Sequence, residues 1–207
     1  MLQLAYCQYW EWRNSLINNF SAVPYIREFG DLLLPNSLVL DMGSWEGYNG
    51  NYLAERGNRV VSVELDNEAA CRGEKIKQAL GRTVSNSFVI GDMLYPMFAD
   101  ETFDAVVTTL VLQDITPKTK AIEALMGILD LTKPGGVNLT RVYIGSEQHQ
   151  RLKADKYSVF GPGELQSIYL AQGWEFIRPT FQTPGPFELN SNGSISSVAQ
   201  VFARKPQ

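Results

Sequence analysis

Three acids and two glycines stand where they could do chemistry. Asp41, Glu64 and Asp92 each fall at the end of a short apolar run, and Asp41 leads into Gly43-Ser44-Trp45-Glu46-Gly47. Carboxylates accept hydrogen bonds from hydroxyl and amino groups, and a glycine lets the backbone approach a ligand closely. Glu64 follows the glycine loop by about twenty residues, the spacing at which an acid reaches the two hydroxyls of a ribose. Gly91-Asp92-Met93 joins an acid suited to an adenine amino group to an apolar side chain suited to the ring face. Taken together, Asp41, Gly43, Ser44, Gly47, Glu64, Leu65, Asp92 and Met93 are candidates for holding a nucleoside. Each acid also has a plainer reading: Asp41 as acceptor for loop N–H groups, Glu64 as a solvated strand end, Asp92 as a turn residue.

Strands and helices must alternate to bring these positions together. LVLDM (38–42), RVVSVEL (59–65), SFVIGD (87–92), FDAVVTTLV (103–111), GVNLTRVYI (136–144) and EFIRPTF (175–181) are β-branched or aromatic runs bounded by Gly, Pro, Asp or Asn. Helices are predicted over 47–56, 66–80, 117–131 and 163–173, with Asp66 as a cap and Gly81 and Gly173 as stops. This alternation predicts a doubly wound α/β domain with a mostly parallel sheet. In such a sheet ligands bind outside the carboxyl ends of the strands, where the glycine loop lies. Asn192-Gly193 between two strand-like runs predicts a closing antiparallel hairpin. Residues 1–34 hold helical pieces that precede the core and read as a cap, so 1–207 reads as one domain.

Composition excludes several alternatives. With 18 Lys and Arg against 22 Asp and Glu, the net charge of −4 has the wrong sign for a protein that tracks phosphate backbones, so nucleic acid is not an expected partner. One histidine, His149, and two cysteines leave no set for an imidazole-rich, zinc or disulfide centre, and no metal is expected. No apolar run reaches the ~18 residues that span a bilayer, and the N-terminus lacks a secretory pattern; a cytoplasmic setting without membrane partners is the expectation.

A glycine loop alone also suits dinucleotide enzymes. The ordered series is more specific: D-x-G-x-x-x-G, Glu64, G-D-M, F-D-A-V-V and K-P-G-G (Lys133 to Gly136). From about 36 to 203 it resembles the class I S-adenosylmethionine-dependent methyltransferases. The resemblance implies a seven-stranded Rossmann-like sheet ending in an antiparallel hairpin, S-adenosylmethionine as cofactor, and Leu110 laid against its methionine part. Where that family reads G-x-G-x-G this chain has Trp45, either packed under the N-terminal helices or touching the cofactor; the cofactor is then expected to lean on backbone groups of Gly43 and Ser44. Within the family, "KPGGVNL", "FGPGEL", "GWE" and the terminal "ARK" are similar to the small tellurite and selenite resistance type methyltransferases. The closing segment "FELNSNGSISS" departs from that type in lacking His and Arg.

Methyl transfer from a sulfonium is an in-line displacement that needs alignment and dryness, and a base only when the nucleophile carries a proton of high pKa. A thiolate or a selenite-like anion needs none, which suits a chain with one histidine; no catalytic residue is nominated. Tyr9, Arg13, Gln113 and His149 are candidates for the substrate side. Trp10 and Trp12 suit an amphipathic helix, and His149, Tyr157 and Phe160 lie in an insertion that is either a lid or a surface loop. The expected activity is methyl transfer (EC 2.1.1.-) to a small-molecule acceptor, with a non-catalytic nucleoside-binding or scaffold protein as the alternative. A dinucleotide oxidoreductase fits the G-D-M strand end and the hairpin less well.

Overall fold

Strand β1 (Leu38–Met42) is apolar at every position but Asp41, and it is buried along its length because helices cover both of its faces. It pairs in parallel with β2 (Arg59–Glu64) on one side and β4 (Phe103–Thr109) on the other. The sheet runs β3-β2-β1-β4-β5-β8-β6, with β3 (Asn86–Ile90) at one edge and β5 (Thr132–Ile144), β8 (Ser197–Arg204) and β6 (Glu175–Phe176) on the far side of β4. The chain leaves β1 in one direction for β2 and β3 and in the other for β4 and β5. The switch point therefore lies between β1 and β4, and the crevice that a ligand can enter opens above it. The computed structural model describes residues 24–79, 84–95, 97–145, 156–179, 181–184 and 197–207.

Alternate residues of each strand divide between two cores. Val39, Val107, Leu139 and Phe202 point toward α1 (Pro24–Gly30) and α2 (Tyr48–Glu55), where they meet Ile26, Phe29 and Leu53. Leu40, Val106, Val142 and Val201 point the other way, onto α4 (Lys118–Asp130) and α5 (Glu164–Ala171), through Leu125, Ile128 and Tyr169. Helix α3 (Asn67–Ala79) joins β2 to β3, and its expected cap is present: Asp66 accepts the Glu68 N–H at 2.8 Å.

Two strand assignments differ from the expectation. Strand β5 begins at Thr132, so K-P-G-G lies inside it as a bulge: Phe103 faces Thr132 while Ala105 faces Val137. The run 175–181 is broken into β6 (Glu175–Phe176) and β7 (Phe181–Pro184), both antiparallel to β8 (Ser197–Arg204). The register slips by two residues between Phe176↔Ala203 and Phe181↔Gln200, across Pro179, which has no N–H to give the ladder. Because β6 and β7 share one edge of β8, the sheet has seven positions with an antiparallel end, as expected. Asn192-Gly193 lies outside the described residues, as does Gly81.

The F-D-A-V-V and K-P-G-G motifs meet at the floor of the sheet, away from the crevice. Asp104 accepts the Leu38 N–H at 2.8 Å and pairs with Lys133 Nζ at 2.7 Å, tying the starts of β1, β4 and β5. Their contribution is to strand alignment.

Candidate active site

Beyond Met42 the chain turns back on β2. The N–H groups of Gly43 and Ser44 both donate to the Val63 carbonyl at 2.9 Å, and Gly47 N–H donates to the Ser44 carbonyl at 2.8 Å. The backbone amides of Gly43 and Ser44, expected to face a cofactor, are thus committed within the protein. Gly43 and Gly47 have φ of 72° and 70°, and a Cβ would stand 2.6 Å from Val111 and 2.3 Å from the Phe88 ring respectively. Both positions need glycine on two counts.

Trp45 shares this left-handed conformation, with φ of 53°. A bulky side chain there costs ~1–2 kcal/mol, so other contacts must hold it. The Arg72 guanidinium of α3 sits 5.7 Å from the indole centroid, and Arg72 Nε bonds Glu46 at 2.7 Å. Glu46 is itself buried and also accepts from the Tyr48 hydroxyl at 3.1 Å. The indole is half-buried against this cluster.

The Trp45 N–H donates to Glu64 Oε2 at 2.7 Å, while Glu64 Oε1 accepts the N–H groups of Leu65 and Asp66 at 2.9 and 3.0 Å. A carboxylate offers roughly four acceptor positions. Three are taken here, so Glu64 locks the glycine loop to the end of β2 and has one acceptor position left. Leu65 beside it is 66% exposed. At the end of β3, Asp92 accepts the Leu94 N–H at 2.9 Å through its side chain and the Tyr95 N–H at 3.0 Å through its carbonyl, forming a turn. Met93 lines a hollow of about 320 Å³ whose wall combines Met42, Phe98 and Ile128 with the charged Asp100, Lys120 and Glu123.

Asp41 is 1% exposed and accepts the Gly50 N–H at 2.9 Å, beneath the loop. Burial raises its pKa to about 7; the Gly50 N–H opposes this and the charge of Glu64 adds to it. A Cβ on Gly50 would stand 2.4 Å from Ser62 Oγ, 2.9 Å from Asn86 Nδ2 and 3.2 Å from Asp41 Oδ2, so α2 can sit this close to the sheet only with glycine there.

The opposite wall follows β4. Thr109 accepts from Asn49 Nδ2 at 3.1 Å, and Leu110, with φ of 53°, donates its N–H to the Arg141 carbonyl at 2.9 Å. Gln113, expected on the substrate side, is 3% exposed; its side-chain amide donates to the Leu110 carbonyl and its backbone carbonyl accepts the Ser158 N–H at 2.7 Å. It fastens the rim to the segment after β5. Asp114, next in sequence, was not singled out from the sequence. Asp114 is exposed at the surface, and desolvation of its carboxyl by the surrounding protein raises its pKa to about 6, with the charge of Glu64 adding to this. The charge of Glu64 is thus felt both by Asp41, buried beneath the loop, and by Asp114. The signal for Asp114 was its place one residue after Gln113 at the end of a crevice-forming strand.

Phe160 is fully buried and bridges to Ile144, so it belongs to the core and not to a lid; Tyr157 is 38% exposed. Tyr9, Arg13 and His149 lie outside the described residues, as do Trp10 and Trp12.

A seven-position sheet with an antiparallel end, and a glycine loop locked to an acid at the end of its second strand, are the arrangement of the Rossmann-like methyltransferase fold. Residues 40–140 match the family described as a methyltransferase domain. The demethylmenaquinone methyltransferase of Beutenbergia cavernae is 32% identical over 158 residues, which cover 76% of this chain and 54% of that protein. The enzyme of the same name from Thermobifida fusca is 30% identical over 99 residues, 48% of this chain and 40% of that one. The chain therefore spans about half the length or less of these curated relatives. Among solved structures, TehB from Haemophilus influenzae superposes with a TM-score of 0.72 at 21% identity, covering 88% of this chain and 62% of that one. The magnesium protoporphyrin IX methyltransferase ChlM of Synechocystis PCC 6803, solved with bound SAH, gives 0.69 at 15% identity, covering 87% and 81%. At such identities the likeness is one of fold, and it extends to the tellurite-resistance type named from the sequence. The family's cofactor is S-adenosylmethionine.

Proposed function

We propose that this chain transfers a methyl group from S-adenosylmethionine to a small-molecule acceptor. The observation that carries the reading is Glu64: three backbone amides hold its carboxylate at the end of β2, beside the glycine loop. The residues fit the cofactor. Glu64 suits the ribose, Leu65, Asp92 and Met93 suit the adenine, and Ser44, through its hydroxyl, and Leu110 suit the methionine part, while Gly43 and Gly47 shape the loop. Ser44 Oγ is buried with no hydrogen-bond partner among the described residues, an acceptor or donor left over for a ligand. Asp41 serves from below, holding α2 and the loop in place. Carboxylates around the opening also favour a cationic ligand such as a sulfonium.

The cofactor supplies an electrophilic methyl group. The chain's own residues hold the reactants aligned and exclude water. Asp114, with a pKa of about 6, is ionised at neutral pH and suited to take a proton from an acceptor that must lose one. A soft or weakly protonated nucleophile needs no such help. Net acidity argues for a small acceptor over nucleic acid. No described helix is long and apolar enough to cross a membrane; an exposed thiol at Cys71 agrees with a reducing, cytoplasmic setting.

Calorimetric titration with S-adenosylhomocysteine, followed by a screen for transfer of labelled methyl groups to thiols, phenols, quinols and small anions, tests this reading. One-to-one binding and transfer to a small acceptor are expected. A folded protein that binds no S-adenosylhomocysteine refutes it, and binding without transfer to any acceptor favours the scaffold alternative.

A further inference from the structure

Arg141 lies at the carboxyl end of β5, two residues after Leu139, and on the same face of the sheet as α1. It is 8% exposed. Its guanidinium lies 3.7 Å from the centroid of the Tyr25 ring on α1, a close stack that fixes its plane. No carboxylate among the described residues pairs with it, and its Nε has no hydrogen-bond partner. The two acids of α1 and its exit are committed elsewhere: Glu28 to Arg178 at 3.2 Å and Asp31 to Arg56 at 2.5 Å. Asp41 lies beyond β4 and is held by Gly50. The cross-strand neighbours of Arg141 are Thr109 and Gln200, both uncharged. A desolvated cation without a counter-charge is costly, and a ring face compensates only in part. Arginine also remains charged at any accessible pH, so it cannot relieve that cost by losing its proton.

The position is next to the proposed crevice. The Arg141 carbonyl accepts the N–H of Leu110, the first residue beyond β4. The planar donor fork of a guanidinium matches a planar oxyanion in bidentate fashion.

From this arrangement we infer that Arg141, held flat by Tyr25, receives a planar oxyanion of a bound ligand beside the carboxyl ends of β4 and β5. The inference rests on the methyltransferase reading for the identity of one candidate ligand, and the oxyanion has two sources. It is either the methionine carboxylate of the cofactor or an anionic group on the acceptor, and in the second case the acceptor is a carboxylate or similar anion.

Arg141→Met keeps the length and removes the charge, and Arg141→Lys keeps the charge and removes the fork. Calorimetry on the full chain compares three probes: S-adenosylhomocysteine, 5′-methylthioadenosine, which lacks the amino acid part, and benzoate added to protein saturated with S-adenosylhomocysteine. A loss of roughly tenfold or more for S-adenosylhomocysteine in Arg141→Met, with 5′-methylthioadenosine unchanged, assigns the cation to the cofactor carboxylate. Unchanged nucleoside binding with loss of benzoate binding assigns it to the acceptor. Arg141→Lys is expected to retain part of the affinity in either case, and the melting temperature of Arg141→Met is expected to hold or rise because an uncompensated charge is gone. Equal losses for both nucleosides, or no change with any probe together with a lower melting temperature, overturn the inference and make Arg141 a structural residue. If the wild-type chain binds neither nucleoside, the methyltransferase reading falls, and benzoate binding to the free protein decides the role of Arg141 alone.

Discussion

Asp41→Asn tests the buried floor of the crevice. Asp41 is 1% exposed, and its pKa is raised from 3.8 to about 7. The folded state therefore binds a proton that the unfolded chain releases between about pH 4 and pH 7. Across that window the wild-type protein loses stability as the pH rises, the opposite sign to a carboxylate held in an ion pair. A difference of about 3 pKa units at 1.36 kcal/mol each gives ~4 kcal/mol as the upper bound. Asparagine keeps an oxygen for the Gly50 N–H and adds an amide that stands in for the protonated carboxyl. Ser62 Oγ, close by and without a hydrogen-bond partner, can receive it. Urea unfolding at about pH 5 and about pH 8, for wild type and variant, gives the difference free of every other titrating group. The variant is expected to gain on the wild type by ~2–4 kcal/mol between those two pH values. Parallel curves, with the same gap at both pH values, would refute the argument that Asp41 is protonated on folding.

Glu64→Gln leaves one strong acceptor oxygen where two serve, so the Trp45 amide and a ribose cannot both be satisfied; S-adenosylhomocysteine is expected to bind roughly 10- to 150-fold more weakly by calorimetry. Unchanged affinity in a folded variant would remove Glu64 from the site. Trp45→Gly relieves a φ of 53° but forfeits the indole stacked on Arg72; a net loss of ~1–2 kcal/mol in urea unfolding is expected, with S-adenosylhomocysteine binding within about tenfold of wild type. Binding lost with stability intact would mean that the indole touches the ligand. Gly50→Ala places a Cβ 2.4 Å from the buried Ser62 Oγ, and is expected to destabilise by ~1–3 kcal/mol although alanine favours helices by about 1 kcal/mol. A stabilised variant would show that α2 lifts away freely.

Much of the frame is legible along the chain. The run LVLDM is β1 to the residue, Asp66 caps α3, and the glycines at 43 and 47 sit where left-handed backbone is needed. These features depend on neighbours a few residues apart, so local pattern suffices. The error at 175–181 had a local cause that could be weighed in advance: Pro179 withholds one N–H, and the strand divides around it. Phe160 had no such cue. An aromatic residue in a polar insertion becomes core only because it bridges to Ile144.

At the crevice, residue type and chain position marked Glu64 as an acid at a strand end. That Trp45, nineteen residues earlier, gives it a backbone N–H is a property of how β1 and β2 lie side by side. The same holds for Asp114, whose proton affinity is raised by desolvation and then by the charge of Glu64, and for Arg141, which reads as one more charged residue in a strand until α1 lays Tyr25 over it. Sequence by itself determined the alternation, the caps and the turn glycines, because hydrophobic period and φ preference act over short range. Tertiary structure decided which carboxylates feel one another's charge, which amides are already committed and which cation is buried with no paired carboxylate among the described residues, because desolvation and Coulomb energy depend on distances between residues that the chain order does not contain.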